Sequence, residues 1–186
     1  AHIPVLQMLD SLGIVPDLVV GNSMGSIVGG LYAMGYSGDS IAHIAKTANW
    51  DNLIWGNVSL NNVSVEEKTE FGRYLIGMGA KDGKIKLTPF LLNDQNLRTF
   101  LADLTYPVYT NTNFDKLSIP FRAIATDIVN GKEVVLDKGG LAFAMRASMS
   151  IPGAFIPVPY ENTLLIDGGV LNNFPVDVAK KLHVDY

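Results

Sequence analysis

The stretch Leu18-Val19-Val20-Gly21-Asn22-Ser23-Met24-Gly25-Ser26-Ile27-Val28-Gly29-Gly30 decides the fold of this chain. Its apolar, β-branched beginning is followed by Gly-x-Ser-x-Gly and then by small and apolar residues at helical spacing. This order predicts a buried strand that turns sharply into a helix, with Ser23 at the turn. A serine on such a strained elbow projects its hydroxyl into solvent, so Ser23 is a candidate nucleophile.

The glycines on either side of Ser23 fit the same elbow. We expect Cβ atoms at Gly21 and Gly25 to collide with neighbouring backbone, which only glycine avoids. The N-terminus of the following helix favours developing negative charge. A membrane helix is the alternative interpretation, because no charged residue lies between Asp17 and Asp39. The glycines and serines that dilute the apolar run weigh against it.

The composition is that of one globular domain with a sizeable core. The 186 residues are 48% hydrophobic and 17% charged, against an average charged fraction of about 25%. The low charge indicates extensive burial, an apolar binding surface or a piece of a larger protein. A net charge of −4 gives no electrostatic basis for binding nucleic acid. The absence of cysteine excludes disulfides and thiolate metal sites.

Helical and strand patterns alternate along the chain and predict an α/β fold. Helical periodicity covers 4–12, 24–34, 141–147 and 176–182, and apolar runs cover 14–20, 119–128 and 164–166. We therefore expect one domain over residues 1–186, a three-layer α/β/α sandwich with a mostly parallel central sheet and the elbow strand near its centre. We expect this domain to be truncated at both ends, because the chain opens inside a predicted helix and closes where a strand begins.

Two segments between these elements have the composition of loops and turns. The stretch 56–70 is polar and rich in Asn, which predicts a connector or a lid. Lys81-Asp82-Gly83 predicts the turn of a hairpin. Asp127 ends the second core strand, where a carboxylate is expected to anchor the following turn rather than to catalyse.

A serine nucleophile needs a base, and two arrangements remain open. His183 is the histidine that follows Asp167, as the Ser, Asp, His order of an α/β-hydrolase triad requires. Asp167 itself ends an apolar strand, and Gly168 and Gly169 behind it allow close backbone approach. A partly desolvated carboxylate is a stronger base than a free one, so a Ser23–Asp167 dyad is feasible without an imidazole.

Three ordered motifs resemble those of the patatin-like phospholipase family, over nearly the whole chain. They are Gly-Asn-Ser-Met-Gly at 21–25, Met-Arg-Ala-Ser-Met-Ser-Ile-Pro at 145–152 and Asp-Gly-Gly-Val-Leu-Asn-Asn-Phe-Pro-Val at 167–176. The resemblance implies a lipid acyl hydrolase that uses a Ser–Asp dyad, with Ser23 as nucleophile and Asp167 as base. It also implies phospholipid or other acyl-ester substrates at a membrane surface, and neither cofactor nor metal.

A narrower similarity concerns the stretch 32–37, Tyr-Ala-Met-Gly-Tyr-Ser, and the hairpin that follows later. Both are similar to bacterial patatin-like domains fused to an outer-membrane barrel that exports them. This similarity implies a bacterial, exported or outer-membrane-associated protein with a covalently linked barrel. We expect no transmembrane segment within the 186 residues. Nothing in the sequence defines an oligomeric state.

The chain departs from the family pattern at one point. The family places a glycine-rich oxyanion loop just before the helix that begins at Ala1-His2-Ile3, and these 186 residues contain no such loop. The Met24 N–H is then the inferred oxyanion donor. The alternative function is a non-catalytic lipid-binding or interaction domain on the same scaffold.

Overall fold

The computed structural model describes residues 2–55, 78–81, 84–87 and 94–182. The predicted connector or lid at 56–70 and His183 lie outside the described residues. The helices are α1 His2–Leu12, α2 Met24–Ala33, α3 Gly38–Thr47, α4 Trp50–Trp55, α5 Gln95–Thr105, α6 Leu141–Ser148 and α7 Val176–Lys181. The strands are β1 Val19–Asn22, β2 Met78–Lys81, β3 Lys84–Leu87, β4 Phe121–Asp127, β5 Lys132–Leu136, β6 Val158–Tyr160 and β7 Thr163–Asp167.

Helix ends lie close to where local sequence signals predict them. α1 ends at Leu12, and Gly13 follows it with φ +65°. The Ser37 hydroxyl accepts a hydrogen bond from the Ser40 N–H at 3.2 Å and caps α3. Asp94 precedes α5 but makes no capping hydrogen bond, because its carboxylate is held elsewhere.

Asp10 joins the first three helices. Its carboxylate accepts hydrogen bonds from the Tyr32 hydroxyl of α2 at 2.7 Å and from the Gly38 N–H of α3 at 2.6 Å. Burial, together with the Asp10 hydrogen bond and charge, raises the pKa of Tyr32 to about 12. One carboxylate on α1 therefore fixes how α2 and α3 meet it.

The described sheet is built around β4. β1 lies parallel along the first half of β4, and β7 lies antiparallel along its second half. β5 pairs with residues 123–127 in the antiparallel sense. Because that pairing overlaps the other two, β1 and β7 share the opposite edge of β4. β6 pairs with β7, while β2 and β3 form a separate antiparallel hairpin.

The α/β fold class is confirmed, but the sheet is mixed rather than mostly parallel. Within the described residues β1–β4 is the one parallel pairing, and β4–β5, β4–β7 and β6–β7 are antiparallel. The turns at Asn130-Gly131 and Glu161-Asn162 reverse the chain too tightly for a parallel crossover. In the part of the chain that is described, β1 pairs with β4 alone.

Helices cover both faces of this sheet. α2 and α6 contact each other and β4 on one face, where the main core contains Leu31, Phe121 and Met145. On the other face, Val178 of α7 is buried and lines a pocket of about 250 Å³ with Arg122. The β4 residues are therefore buried on both sides.

The apolar run from Leu18 to Gly30 is not a membrane helix. It contains the four-residue strand β1, the turn at Ser23 and the ten-residue helix α2. Among the described residues, no helix combines the length and apolar character needed to cross a bilayer.

Candidate active site

Ser23 lies in the strained conformation that a strand-to-helix elbow requires. Its φ and ψ are 52° and −126°, a region that a residue with a Cβ rarely adopts. Gly21 makes the turn sterically feasible, because a Cβ there would lie 2.6 Å from the Gly25 carbonyl oxygen and 2.7 Å from the Ser26 Cα. The predicted need for glycine at 21 is confirmed.

The same expectation is wrong for Gly25. Beyond its own helix, the nearest atom to a Cβ at Gly25 is His2 Nε2 at 3.9 Å, which is an ordinary contact distance. The chain turns at Ser23, and neighbouring backbone does not crowd this side of α2. Gly25 therefore borders open space beside the elbow rather than a tight backbone crossing.

The ends of β1 and β7 meet head to head on one edge of β4. Asn22, the last residue of β1, lies opposite Ile124, and Asp167, the last residue of β7, lies opposite the next residue, Ala125. Neighbouring Cα atoms along a strand are about 3.8 Å apart. Ser23 follows Asn22 directly, so the fold brings the candidate nucleophile and the candidate base to the same place.

The Asp167 carboxylate is buried and half satisfied. The residue is 6% exposed, and its Oδ1 accepts a hydrogen bond from the Gly169 N–H at 2.7 Å. Its Oδ2 is buried without a hydrogen-bond partner. Such atoms are uncommon, and each needs an explanation such as a catalytic role. Ser23 makes no hydrogen bond to this carboxylate.

The segment after α6 connects the two halves of the site. The Ser148 hydroxyl accepts a hydrogen bond from the Ser23 N–H at 3.0 Å. Two residues on, the Ser150 carbonyl accepts one from the Asp167 N–H at 2.9 Å. The motif at 145–152 therefore holds the elbow on one side and the end of β7 on the other.

Arg146 anchors that segment from inside the protein. Its side chain is 3% exposed and donates to Asp94 Oδ2 through Nη2 at 2.5 Å and Nε at 2.8 Å. It also donates to Ser150 Oγ at 2.5 Å and lies 4.9 Å from the centre of the Phe155 ring. Burial raises the pKa of Asp94, but the hydrogen bonds from Arg98 and Arg146 outweigh it and hold that pKa below its usual value.

Two asparagines pack beside Asp167. Asn22 Nδ2 donates to Asn173 Oδ1 at 3.1 Å, which ties the end of β1 to the segment after β7. A Cβ at Gly168 would lie 2.5 Å from the Ile124 carbonyl oxygen, so close backbone approach requires glycine there, as predicted for the turn after the candidate base. A Cβ at Gly169 would meet side-chain ends instead, Asn173 Oδ1 at 2.9 Å and Asp167 Oδ1 at 3.0 Å.

The other sequence candidates lie away from this centre. Asp127 accepts hydrogen bonds from the Val129 and Asn130 N–H groups, both at 2.9 Å, and so anchors the turn after β4, as predicted. His43 is exposed on α3. By contrast, the imidazole of His2 lies close to the elbow, with its Nε2 3.9 Å from the position that a Cβ at Gly25 would take.

Comparison with known proteins decides the family. The sequence profile described as "Patatin-like phospholipase" matches residues 1–180. The chain belongs to the patatin-like phospholipase family. The resemblance inferred from the three motifs is therefore confirmed.

Named relatives of this patatin-like chain include bacterial and eukaryotic proteins. It is 32% identical over 185 residues to an uncharacterized NTE family protein of Mycobacterium bovis, an alignment that covers 100% of this chain and 43% of that protein. It is 30% identical over 187 residues to lysophospholipase NTE1 of Meyerozyma guilliermondii, covering 100% of this chain and 11% of that protein. The patatin-like chain thus spans less than half the length of these relatives.

A solved structure shows the same fold. VipD from Legionella pneumophila superposes on the patatin-like chain with a TM-score of 0.55 at 14% identity, covering 92% of this chain and 44% of that one. At this identity the likeness concerns the fold alone.

Proposed function

We propose that this patatin-like domain is a lipid acyl hydrolase that uses Ser23 and Asp167 as a catalytic dyad. The observation that carries the proposal is the meeting of β1 and β7 on one edge of β4, which brings a strained serine beside a buried carboxylate. The unpartnered Asp167 Oδ2 supports it, because that oxygen is available to accept a proton. Catalytic hydrogen bonds are often absent before substrate binds, and we expect the Ser23 hydroxyl to turn toward Asp167 Oδ2 when an ester is bound.

In this mechanism Asp167 acts first as a base and then as an acid. Its carboxylate takes the Ser23 hydroxyl proton while Oγ attacks the ester carbonyl carbon. The tetrahedral intermediate collapses to an acyl-enzyme, and the leaving alcohol takes the proton from Asp167. Water then attacks the acyl-enzyme, with Asp167 accepting its proton, and the fatty acid leaves as Ser23 Oγ is reprotonated.

The developing oxyanion is stabilised by the start of α2. Met24 is the first residue of that helix, and the first N–H groups of a helix have no intrahelical partner. The positive end of the helix dipole adds to this stabilisation. The Ser23 N–H is engaged by Ser148 and holds the elbow instead. We propose that further donors come from residues that precede Ala1 in the whole protein.

Hydrolysis of a monomeric short-chain ester by the whole protein tests the dyad. Ser23→Ala and Asp167→Asn should each abolish turnover, while Ser40→Ala and Asp103→Asn, which change exposed residues of the same types, should not. His2→Ala and His183→Ala should retain most of the turnover. Loss of activity in His183→Ala would support the triad instead, and full activity in Asp167→Asn would exclude the dyad.

A non-catalytic lipid-binding domain is the competing proposal. A fluorophosphonate probe distinguishes the two, because it reacts only with an activated serine. Labelling of the wild type at Ser23, and its loss in Ser23→Ala, supports the enzyme. A whole protein that binds lipid vesicles but takes no label would support the binding domain.

The linked outer-membrane barrel and the single-domain boundaries 1–186 are proposals about the whole protein, and its complete sequence tests both.

A further inference from the structure

The segments that build the candidate active site also carry exposed, large apolar side chains. Five of them form what we term the apolar rim: Met24, Ile151, Val170, Leu171 and Phe174. Phe174 is 83% exposed, more than any other large apolar side chain of the described residues. Exposed apolar residues that cluster around a site indicate an interaction surface rather than a core.

Hydrogen bonds place the backbone of these residues close to the candidate active site. Met24 follows Ser23 in the elbow. Ile151 follows the residue whose carbonyl accepts from the Asp167 N–H. Val170 and Leu171 follow the residue whose N–H donates to Asp167 Oδ1. The Cα atom of each of these four residues therefore lies at most about two residues along the chain, or ~8 Å, from Ser23 or from a residue that contacts Asp167.

Phe174 is exposed on an anchored backbone. Asn173 before it is tied to Asn22, and the Val176 N–H donates to the Phe174 carbonyl at 2.8 Å. Pro175 fixes one further backbone dihedral between them. The Phe174 ring is thus exposed on a turn whose backbone is held by hydrogen bonds. Because this backbone is already ordered, inserting the ring into a lipid bilayer costs less conformational entropy.

The rim side chains are uncharged, and the charged groups nearest to them at the 168–176 segment are engaged: the Asn172 amide donates to Glu133 and Asp177, and Lys181 contacts Asp177. The three segments that carry the rim, 21–38, 147–160 and 168–176, contain no Asp, Glu, Lys or Arg. A protein partner or a soluble polar substrate is usually recognised with charged or hydrogen-bonding groups at the periphery. An uncharged apolar rim beside the candidate active site fits the surface of a neutral lipid bilayer instead.

We propose that the apolar rim is a membrane-docking surface that seats the candidate active site on neutral phospholipid, with Phe174 and Leu171 inserting below the headgroups. This inference rests on the proposed function, because it assigns bilayer lipid as the form in which Ser23 meets its substrate. The rim removes the site from water on contact and aligns the acyl ester with Ser23.

Binding to phosphatidylcholine vesicles tests the docking surface independently of catalysis. The experiment uses the whole protein in a Ser23→Ala background, so that no product accumulates. Phe174→Ser and Leu171→Ser should each weaken co-sedimentation with vesicles roughly tenfold, the size expected for losing one buried large apolar side chain. The matched control is Tyr109→Ser, because Tyr109 is 79% exposed.

Tyr109 is a suitable control because it lies far from the site. It follows the end of α5, where the Leu104 carbonyl accepts a hydrogen bond from the Tyr36 hydroxyl. Tyr36 lies beyond the end of α2 opposite Ser23, and the ten residues of α2 span about 15 Å. Tyr109→Ser should therefore leave vesicle binding unchanged.

Fluorescence gives a direct readout of insertion. Phe174→Trp should keep vesicle binding, and its added emission should shift to the blue when vesicles are present, while Tyr109→Trp should show no shift. Binding should also persist between about 0.1 M and 1 M NaCl, where the Debye length falls from about 10 Å to 3 Å, because the rim carries no charge. Loss of binding at high salt would overturn the proposal.

Catalytic rates show whether the docking proposal or the proposed function is wrong. In the active protein, the double variant of Phe174→Ser and Leu171→Ser should lower the ratio of vesicle hydrolysis to monomeric ester hydrolysis at least tenfold. An unchanged ratio together with unchanged vesicle binding overturns the docking surface. A wild type that binds vesicles through Phe174 but hydrolyses no ester overturns the proposed function alone. A double variant that binds vesicles normally but changes from dimer to monomer in sedimentation assigns the rim to a second copy, which also overturns the proposal.

Discussion

Gly21 and Gly25 are equivalent in the Gly-x-Ser-x-Gly motif, but their surroundings differ. A Cβ at Gly21 would overlap the backbone at Gly25 and Ser26, whereas a Cβ at Gly25 would touch only His2 at 3.9 Å. The first glycine of the motif, Gly21, is therefore required by sterics, whereas the second, Gly25, has room for a Cβ. Sequence alone treats the two positions alike, because the neighbours that distinguish them belong to the turn itself and to another helix.

Alanine substitutions should separate the two glycines. Gly21→Ala should lower the free energy of unfolding by about 1–3 kcal/mol, the usual cost of overpacking, because backbone atoms must move. Gly25→Ala is the matched control and should leave it unchanged or slightly higher, since alanine favours helix. Urea denaturation followed by circular dichroism measures both. Equal destabilisation by the two substitutions would show that the open space at Gly25 is not available.

At the scale of elements, two arginines on Asp94 offer a comparison of buried and exposed ion pairs. Both contact Asp94 Oδ2, but the Arg146 side chain is 3% exposed and the Arg98 side chain 47%. Arg146→Ala should cost about 3–5 kcal/mol in unfolding free energy, because it leaves a buried carboxylate without its main partner and frees the 145–152 segment. Arg98→Ala should cost at most about 1 kcal/mol. Thermal unfolding of the two variants under one buffer checks the difference, and similar losses would contradict it.

The turn after β4 should respond to acid. Hydrogen bonds from the Asn130 side chain, the Thr163 hydroxyl and the Asn130 backbone lower the pKa of Asp127 from 3.8 to about 2. A carboxylate whose pKa is lower in the folded state stabilises the fold above its unfolded pKa. That contribution is lost as the pH falls from about 4 to 2.

Urea midpoints measured from pH 5 to pH 2 test this window. The wild type should lose stability more steeply below pH 4 than Asp127→Asn, which cannot titrate. Asp103→Asn, at an exposed helix position, should follow the wild-type curve. Parallel curves for wild type and Asp127→Asn would mean that the turn does not depend on the carboxylate charge.

Elements were predictable where their signals are local. Gly13, Ser37 and the Asn130-Gly131 turn mark ends and reversals through their own dihedrals and side chains, and the structure places them there. Strand pairing depends on residues far apart in sequence. The alternation of helices and strands therefore predicted a mostly parallel sheet with a central elbow strand, whereas β7 and β5 approach β4 from the opposite direction.

The same limit applies to the site. Ser23 and Asp167 could be named as candidates because each lies in a short motif with a chemical requirement of its own. The roles of Ser148, Asn173 and the Arg146–Asp94 pair were not predicted, because each acts through a contact with a distant segment. Ser148 and Arg146 lie in the motif at 145–152, but the motif does not show which backbone group Ser148 binds or which carboxylate Arg146 binds.

At the scale of the whole molecule, the site exists only as a product of the global fold. Ser23 and Asp167 come from opposite parts of the chain and meet because β1 and β7 share one edge of β4. The segment 145–152 ties both, and it is itself held by Asp94 at the start of α5. Among the described residues, these hydrogen bonds and ion pairs run through the core, so we expect the candidate dyad to lose its geometry only when the core unfolds.

This coupling predicts that probe reactivity and global structure are lost together. The rate of fluorophosphonate labelling at Ser23, measured in the whole protein across a urea series, should fall with the same midpoint as far-UV circular dichroism, as coincident probes require for a two-state transition. Arg146→Ala should shift both curves to lower urea by the same amount, and Arg98→Ala should shift neither appreciably. If labelling instead disappears well before the circular dichroism signal, the elbow opens as a local unit. In that case the hydrogen bonds through Ser148 and Ser150 do not make the unfolding of the site cooperative with that of the core.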